Sequence, residues 1–296
     1  MVWSGFDDTN KKGRSRLLVA GAAALVVLHG EADAEGWSVR AAASAGKQID
    51  LINAEGGDRQ DPFYNVSGAV MYSTREGFYV QGSLEYERLF NMRDDGPQDL
   101  TMTGIHVGFR RAGSWSVGGL VAAVRGNIVD RTDTFIDTGT LVAGEVTWQR
   151  PGFSIHGQLG GGEIDVDPSS GEGFIDGTFW RLMARLYPSE RLLVEFDYTS
   201  AYSRDYTDGH DGTWNTFEAR LFRQLSGPWS AYLGWRTANY FVDDDDEAHL
   251  AEDSFFVGVS YQAGGSPRAF DREGASFTLP FAVARGAGYT EAVDRW

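Results

Sequence analysis

The residues best suited to chemistry are acidic ones gathered between apolar runs. Asp208-Gly209-His210 sets a carboxylate two positions from an imidazole, and Asp94-Asp95 adds an adjacent carboxylate pair. A carboxylate beside an imidazole is a candidate acid–base pair. Asp165, Asp167 and Asp176 form part of an oxygen-rich loop of the kind that holds Ca²⁺ weakly. The glycine such a loop needs is displaced to Gly171, and no helical pattern flanks it. A solvated acidic surface explains the same residues. No phosphate-cradling glycine loop and no zinc-ligand spacing occurs, and cysteine is absent, so thiolate metal and redox chemistry are excluded.

A larger constellation emerges from the strand pattern. Apolar residues recur at every second position, the period of a strand with one buried or lipid-facing side. From Gly77 to Phe90, Phe78, Val80, Leu84, Tyr86 and Phe90 share one parity, while Tyr79, Gln81, Ser83, Glu85 and Glu87 share the other. Reading every such run predicts twelve strands: Trp37–Gly46, Phe63–Ser73, Gly77–Phe90, Leu100–Arg110, Ser114–Arg125, Thr140–Gln149, Gly152–Gly161, Thr178–Tyr187, Arg191–Ser200, Thr213–Arg223, Trp229–Phe241 and Ser254–Gln262. Each is near the roughly 9–11 residues that cross a bilayer as a tilted strand. The Thr213–Arg223 run is the least regular, with apolar residues on both parities.

The connections alternate short and long. Tight turns such as Thr74-Arg75-Glu76, Arg111-Ala112-Gly113 and Pro188-Ser189-Glu190 separate longer acidic stretches, among them Asn91–Asp99, Ala201–Gly212 and Val242–Asp253. Aromatics bracket the short turns on the apolar parity: Tyr72 and Phe78, Phe109 and Trp115, Trp148 and Phe153. Matched rings of this kind make an interfacial girdle. The fold class implied is all-β, a transmembrane antiparallel up-and-down barrel of about twelve strands, with fourteen as the alternative.

With the apolar parity facing lipid, Glu85, Glu87, Glu145, Arg181, Arg185, Glu195, Asp197, Glu218, Arg220 and Arg236 face the lumen, as do Arg40, His106 and His156. Reflection about the Pro188–Glu190 turn sets Arg181 opposite Asp197, with Glu195 diagonal to Arg181 and Arg185; Glu218 falls near Arg236. Two readings stay open: a charge-selective pore lining, or a salt-bridged filling of a narrow barrel. Inward Tyr79, Phe179, Met183 and Tyr232 narrow it in either case.

The N-terminal 34 residues read as an export signal. Lys11, Lys12, Arg14 and Arg16 precede the apolar run Leu17–Leu28, and Ala32-Asp33-Ala34 supplies the small-residue cleavage pattern. Residues 35–262 are then the barrel, and 263–296 a periplasmic tail with the barrel mouth as one possible seat. Within the tail, Phe277, Leu279, Phe281 and Val283 alternate, but Pro280 interrupts them.

The formal net charge of -16 disfavours nucleic acid as a partner. On architecture, from Trp37 to Gln262, the chain resembles a Gram-negative outer-membrane β-barrel of the porin-like kind. That resemblance implies outer-membrane lipid, lipopolysaccharide and the barrel-assembly machinery as partners, with a periplasmic partner open to the tail. It implies a passive channel for small hydrophilic solutes, without a cofactor beyond weak Ca²⁺. A closed binding barrel and a rim protease of the omptin kind are the alternatives; the last rests on Asp208, His210, Asp94 and Asp95. Such barrels often close on an aromatic-ended last strand, whereas this chain continues past Tyr261.

Overall fold

The computed structural model describes residues 36–52, 59–90, 98–111, 113–129, 134–135, 138–167, 172–207, 210–242, 249–263, 266–268, 271 and 274–287. Twelve strands form the wall: β1 (Gly36–Ile52), β2 (Arg59–Ser73), β3 (Phe78–Leu89), β4 (Gln98–Arg111), β5 (Trp115–Val129), β7 (Thr138–Arg150), β8 (Phe153–Asp167), β9 (Glu172–Ser189), β10 (Leu192–Thr207), β11 (His210–Ser226), β12 (Trp229–Val242) and β13 (His249–Gln262). The two-residue β6 (Thr134–Phe135) extends β5 as a short ladder outside the wall. Every wall strand pairs antiparallel with its sequence neighbour. β1 closes the ring on β13, from Arg40 opposite Gln262 to Ile52 opposite Leu250. The sheet therefore has no free edge, as a membrane-spanning sheet requires.

The alternation in the sequence is the wall's inside and outside. Val80, Ile105, Val121, Val142, Val146, Leu159, Leu182 and Val257 point outward and are exposed. Their parity neighbours are buried in the lumen. Ring pairs mark the short-turn end of the outer face: Trp37 with Tyr72 at 5.2 Å, Phe109 with Trp115 at 5.8 Å, Trp148 with Phe153 at 5.3 Å and Trp229 with Tyr261 at 5.2 Å. The turns beneath them are tight for a local reason. Gly77 takes φ +93°, which lets its N–H reach the Thr74 carbonyl at 3.0 Å. With this exposed apolar face set in a bilayer, Val142→Arg should cost about 2–4 kcal/mol at mid-wall. Urea titration of the barrel in lipid vesicles should show that loss.

The strands are longer than predicted. They run on into stretches expected to be loops, so Asp99, Asp205, Asp211, Glu252 and Asp253 lie on β4, β10, β11 and β13. Hairpins that continue their ladder satisfy backbone groups that a loop would leave to water. The Thr213–Arg223 run is a full strand within β11, and its double parity has a cause. Trp214 and Phe222 face inward and are buried.

Past Ala263, whose N–H bonds the Val39 carbonyl at 3.0 Å, the chain turns into the barrel. It rises through Asp271, a tight turn in which Ser276 N–H bonds the Gly274 carbonyl at 2.9 Å, and an extended stretch to Pro280, reaching a short helix α1 (Phe281–Ala287). Pro280 ends the extended run and opens the helix, with Val283 N–H on its carbonyl at 3.0 Å. No thirteenth wall strand forms from Ser276–Ala284.

Candidate functional site: a plugged lumen

The tail climbs the lumen in order. Near the short turns, the Asp271 carboxylate accepts from Ser154 Oγ at 2.7 Å and from Arg185, while its carbonyl accepts from Gln149 at 2.9 Å. Arg110 donates to the Gly274 carbonyl at 2.9 Å and lies over the Phe277 ring at 5.0 Å. Phe277 stacks on Tyr79 at 4.7 Å, between His106 and His156. Its carbonyl accepts from Gln81 at 2.7 Å. Higher up, Arg181 donates to the Thr278 and Leu279 carbonyls at 3.1 and 2.7 Å. Arg285 of α1 forks onto Glu87 with two contacts of 2.7 Å. Near the long-loop end, Tyr206 Oη donates to the Gly286 carbonyl at 2.9 Å.

The plug has an apolar and a polar side. Leu279, Phe281, Val283, Ala284 and Ala287 join Met102, Leu120, Leu141, Ile164, Phe174, Tyr206 and Trp214 in one buried cluster. On the other side a gap of about 100 Å³ remains, lined by six arginines and six carboxylates. Ion pairs close most of this charge within the wall. Arg181 Nε meets Asp197 at 2.9 Å, Arg185 meets Glu195 at 2.7 Å, and Arg236 meets Glu252 at 3.1 Å. Arg220 pairs with Glu218 and, at 3.3 Å, with Glu195. Inside the lumen, among the described residues, Asp271–Arg185 and Arg285–Glu87 pin the tail by charge, and at the exposed short-turn end Arg268 pairs with Glu190 at 2.7 Å. Burial alone would raise the Asp271 carboxyl. Arg185, together with the Ser154 and Tyr187 hydroxyls, more than offsets this and holds it below the usual aspartate range.

All ten wall residues singled out from the sequence face inward, and nine of them line the gap. The tenth, Glu145, is buried deeper, with His106 Nδ1 at 3.1 Å and Gln158 at 3.2 Å. The pairing differs from simple reflection. Glu195 lies directly opposite Arg185, and Arg181 opposite Thr199, so the Arg181–Asp197 pair is the diagonal one. The register shifts between Leu192 and Val194, beyond what reflection about the turn anticipates. Glu218 does face Arg236 across β11 and β12, but each bonds elsewhere, Glu218 to Arg220 and Arg236 to Glu252 and Glu87.

Sequence reasoning missed Asp271, Arg285, Arg110, Gln149 and Glu252 as site residues. The signal for the first two was the apolar run around them, which has no reason to hang in water.

Of the hydrolytic candidates, Asp94, Asp95 and Asp208 lie outside the described residues; His210 opposes Thr207 at the tip of the β10–β11 hairpin. Of the Ca²⁺ candidates, Asp176 faces Arg204 at 3.6 Å on the exposed rim, and the Asp167 side chain lies outside the described residues. Among the described residues no three His, Cys, Asp or Glu side chains gather to hold a metal.

A closed twelve-stranded antiparallel wall, apolar outside and largely polar within, is the architecture of a transmembrane β-barrel. The sequence matches no protein-family profile and no curated protein. Several solved structures align with most of this chain. The KdgM porin in complex with disordered oligogalacturonate is 10% identical, covering 74% of this chain and 98% of its own, with a TM-score of 0.44. The translocator domain of autotransporter NalP from Neisseria meningitidis is 14% identical, covering 84% and 94%, with a TM-score of 0.47. The Pseudomonas putida toluene transporter TodX is 9% identical, covering 77% and 89%, with a TM-score of 0.45.

Proposed function

We propose that the chain is a self-plugged outer-membrane channel for small hydrophilic solutes, closed by its own C-terminal segment. One observation carries this reading. Apart from two ion pairs, the wall grips the plug's polar stretch mainly through backbone carbonyls, at Gly274, Ser276, Phe277, Thr278 and Leu279. Water can replace such bonds at little net cost. The arginines and carboxylates of the wall mostly neutralise one another without the tail, so its withdrawal leaves a hydrated polar passage rather than a row of stranded charges. In this reading the signal peptide delivers the barrel to the outer membrane, with short turns periplasmic and long hairpins outside.

A sealed structural barrel is the second reading, favoured by the apolar packing of α1. One experiment separates the two. Planar-bilayer conductance is compared between the full chain and a chain ending at Ala263. The channel reading expects a small or intermittent conductance for the first and a large steady one for the second. A folded truncated barrel that stays silent ends the channel reading. Rim hydrolysis has His210 alone among the described residues to support it, and peptide cleavage by the purified barrel would be its test.

A further inference from the structure

We infer that the gap beside the plug is a binding site for a small zwitterion, carrying an ammonium and a carboxylate on one short carbon frame, as the smallest α-amino acids do. This rests on the channel reading in one respect, that solute reaches the gap from water.

The warrant is what remains after the ion pairs are assigned. Of the charged groups lining the gap, Asp197, Glu195, Glu218, Glu87 and Asp271 are each joined to an arginine of the wall or of α1. Two opposite charges are left over. Arg40 lines the gap, and no hydrogen bond or ion pair engages it among the described residues. Glu85 lines the same gap, accepts a hydrogen bond from Asn65 at 3.0 Å, and meets no cation at ion-pair distance among those residues.

Their placement on the wall is complementary to a short dipole. Arg40 lies opposite Ala69 of β2, and Glu85 lies opposite Ser67 of the same strand. One strand stands between them, with an offset of two residues, which separates their Cα atoms by about 12 Å. The two head groups thus face one gap from different heights. One small molecule can touch both. Ser44 and Ser67 line the same gap and add neutral hydrogen-bonding groups.

Chemistry and volume narrow the ligand. Arg40 and Glu85 are both half-buried, so each gains from a partner that replaces the water it has lost, and the gap holds one of each sign. A simple anion relieves Arg40 alone, and a simple cation relieves Glu85 alone. A zwitterion relieves both at once and adds no net charge to a balanced lining. A gap of about 100 Å³, smaller than the roughly 150 Å³ cavity that accommodates benzene, suits a molecule of glycine's bulk. Plug residues Asp271, Thr278 and Arg285 border the gap, so an occupant touches wall and plug together.

The test is calorimetry on the full-length refolded barrel with glycine, acetate and methylammonium as separate probes. Glycine should bind at least about tenfold more tightly than either single-charge probe. Arg40→Gln should weaken glycine and acetate about tenfold and leave methylammonium alone. Glu85→Gln should weaken glycine and methylammonium and leave acetate alone. Equal affinity for all three probes on the unaltered protein overturns the site, and that arm does not depend on any variant folding. So does glycine binding that survives both substitutions. The channel reading fails independently, through a silent truncated barrel, and glycine binding to the full chain is read without any conductance.

Discussion

Arg185→Met should release the lower end of the plug. Arg185 ion-pairs with both wall and tail at that level, with Glu195 on one side and Asp271 on the other. Methionine fills similar space and carries no charge. Glu195 retains Arg220 at 3.3 Å, whereas Asp271 retains only hydroxyl donors such as Ser154 at 2.7 Å. Removing one partner of a buried pair costs about 3–5 kcal/mol, because the other charge is left uncompensated. The tail can escape that cost by moving Asp271 back to water. The undocked population should therefore rise about 10²- to 5 × 10³-fold. Protease cleavage around Asp271 in the folded barrel would report it, together with a rise in open-channel current. Arg185→Met combined with Asp271→Asn should recover part of the loss, as coupled partners do in a double-mutant cycle. Unchanged protection of the tail in Arg185→Met would refute the latch.

The same contact fixes a pH dependence. The folded Asp271 pKa is depressed, so its contribution to docking is complete above the unfolded pKa and fades as pH falls through the folded one. Acid should loosen the plug, and Asp271→Asn should flatten that response in the current-against-pH profile.

The wall was legible in the sequence because a lipid-facing barrel enforces a strict two-residue period. Phe78, Val80 and Leu84 have no alternative to facing outward once Glu85 and Glu87 face inward. Strand ends were less legible, since Glu252 reads as loop acid until Arg236 is seen across the ladder at 3.1 Å. The exact pairing on β9 and β10 escaped because a register shift near Leu192 leaves no signature in side-chain type. The plug was half visible. Phe277, Leu279, Phe281 and Val283 asked for burial, but local pattern does not say which surface provides it. Contacts such as Gln81 to Phe277 join residues almost two hundred positions apart, and no periodicity reaches that far. Trp214 and Phe222 carried the complementary hint. Large apolar groups on the inward parity of β11 meant that the lumen there was not simply water.

Gly286→Val should free the upper end of the plug while leaving the lower end seated. A Cβ at Gly286 would fall 2.0 Å from Trp214 Nε1, far inside contact distance. Trp214 has little room to yield, because it is fully buried between Phe174 at 5.5 Å and Tyr206 at 5.3 Å. The end of α1 must lift instead, and the bond from Tyr206 Oη to the Gly286 carbonyl breaks with it. Overpacking costs about 1–3 kcal/mol and the lost bond about 1 more. Hydrogen exchange should accelerate through Phe281–Ala287 by roughly 30- to 10³-fold. Around Asp271 and Gly274 it should stay slow, since Arg185, Arg110 and Gln149 still hold that stretch. Arg185→Met should give the opposite spatial pattern. Two separable footprints would mean that the plug has two latches, a charged one below and an apolar one above, so that solute or acid could loosen the lower without expelling the tail. Simultaneous release of the whole segment by either substitution would instead make it a single cooperative unit, and opening would then have to overcome the full apolar cost of exposing Leu279, Phe281 and Val283 at once.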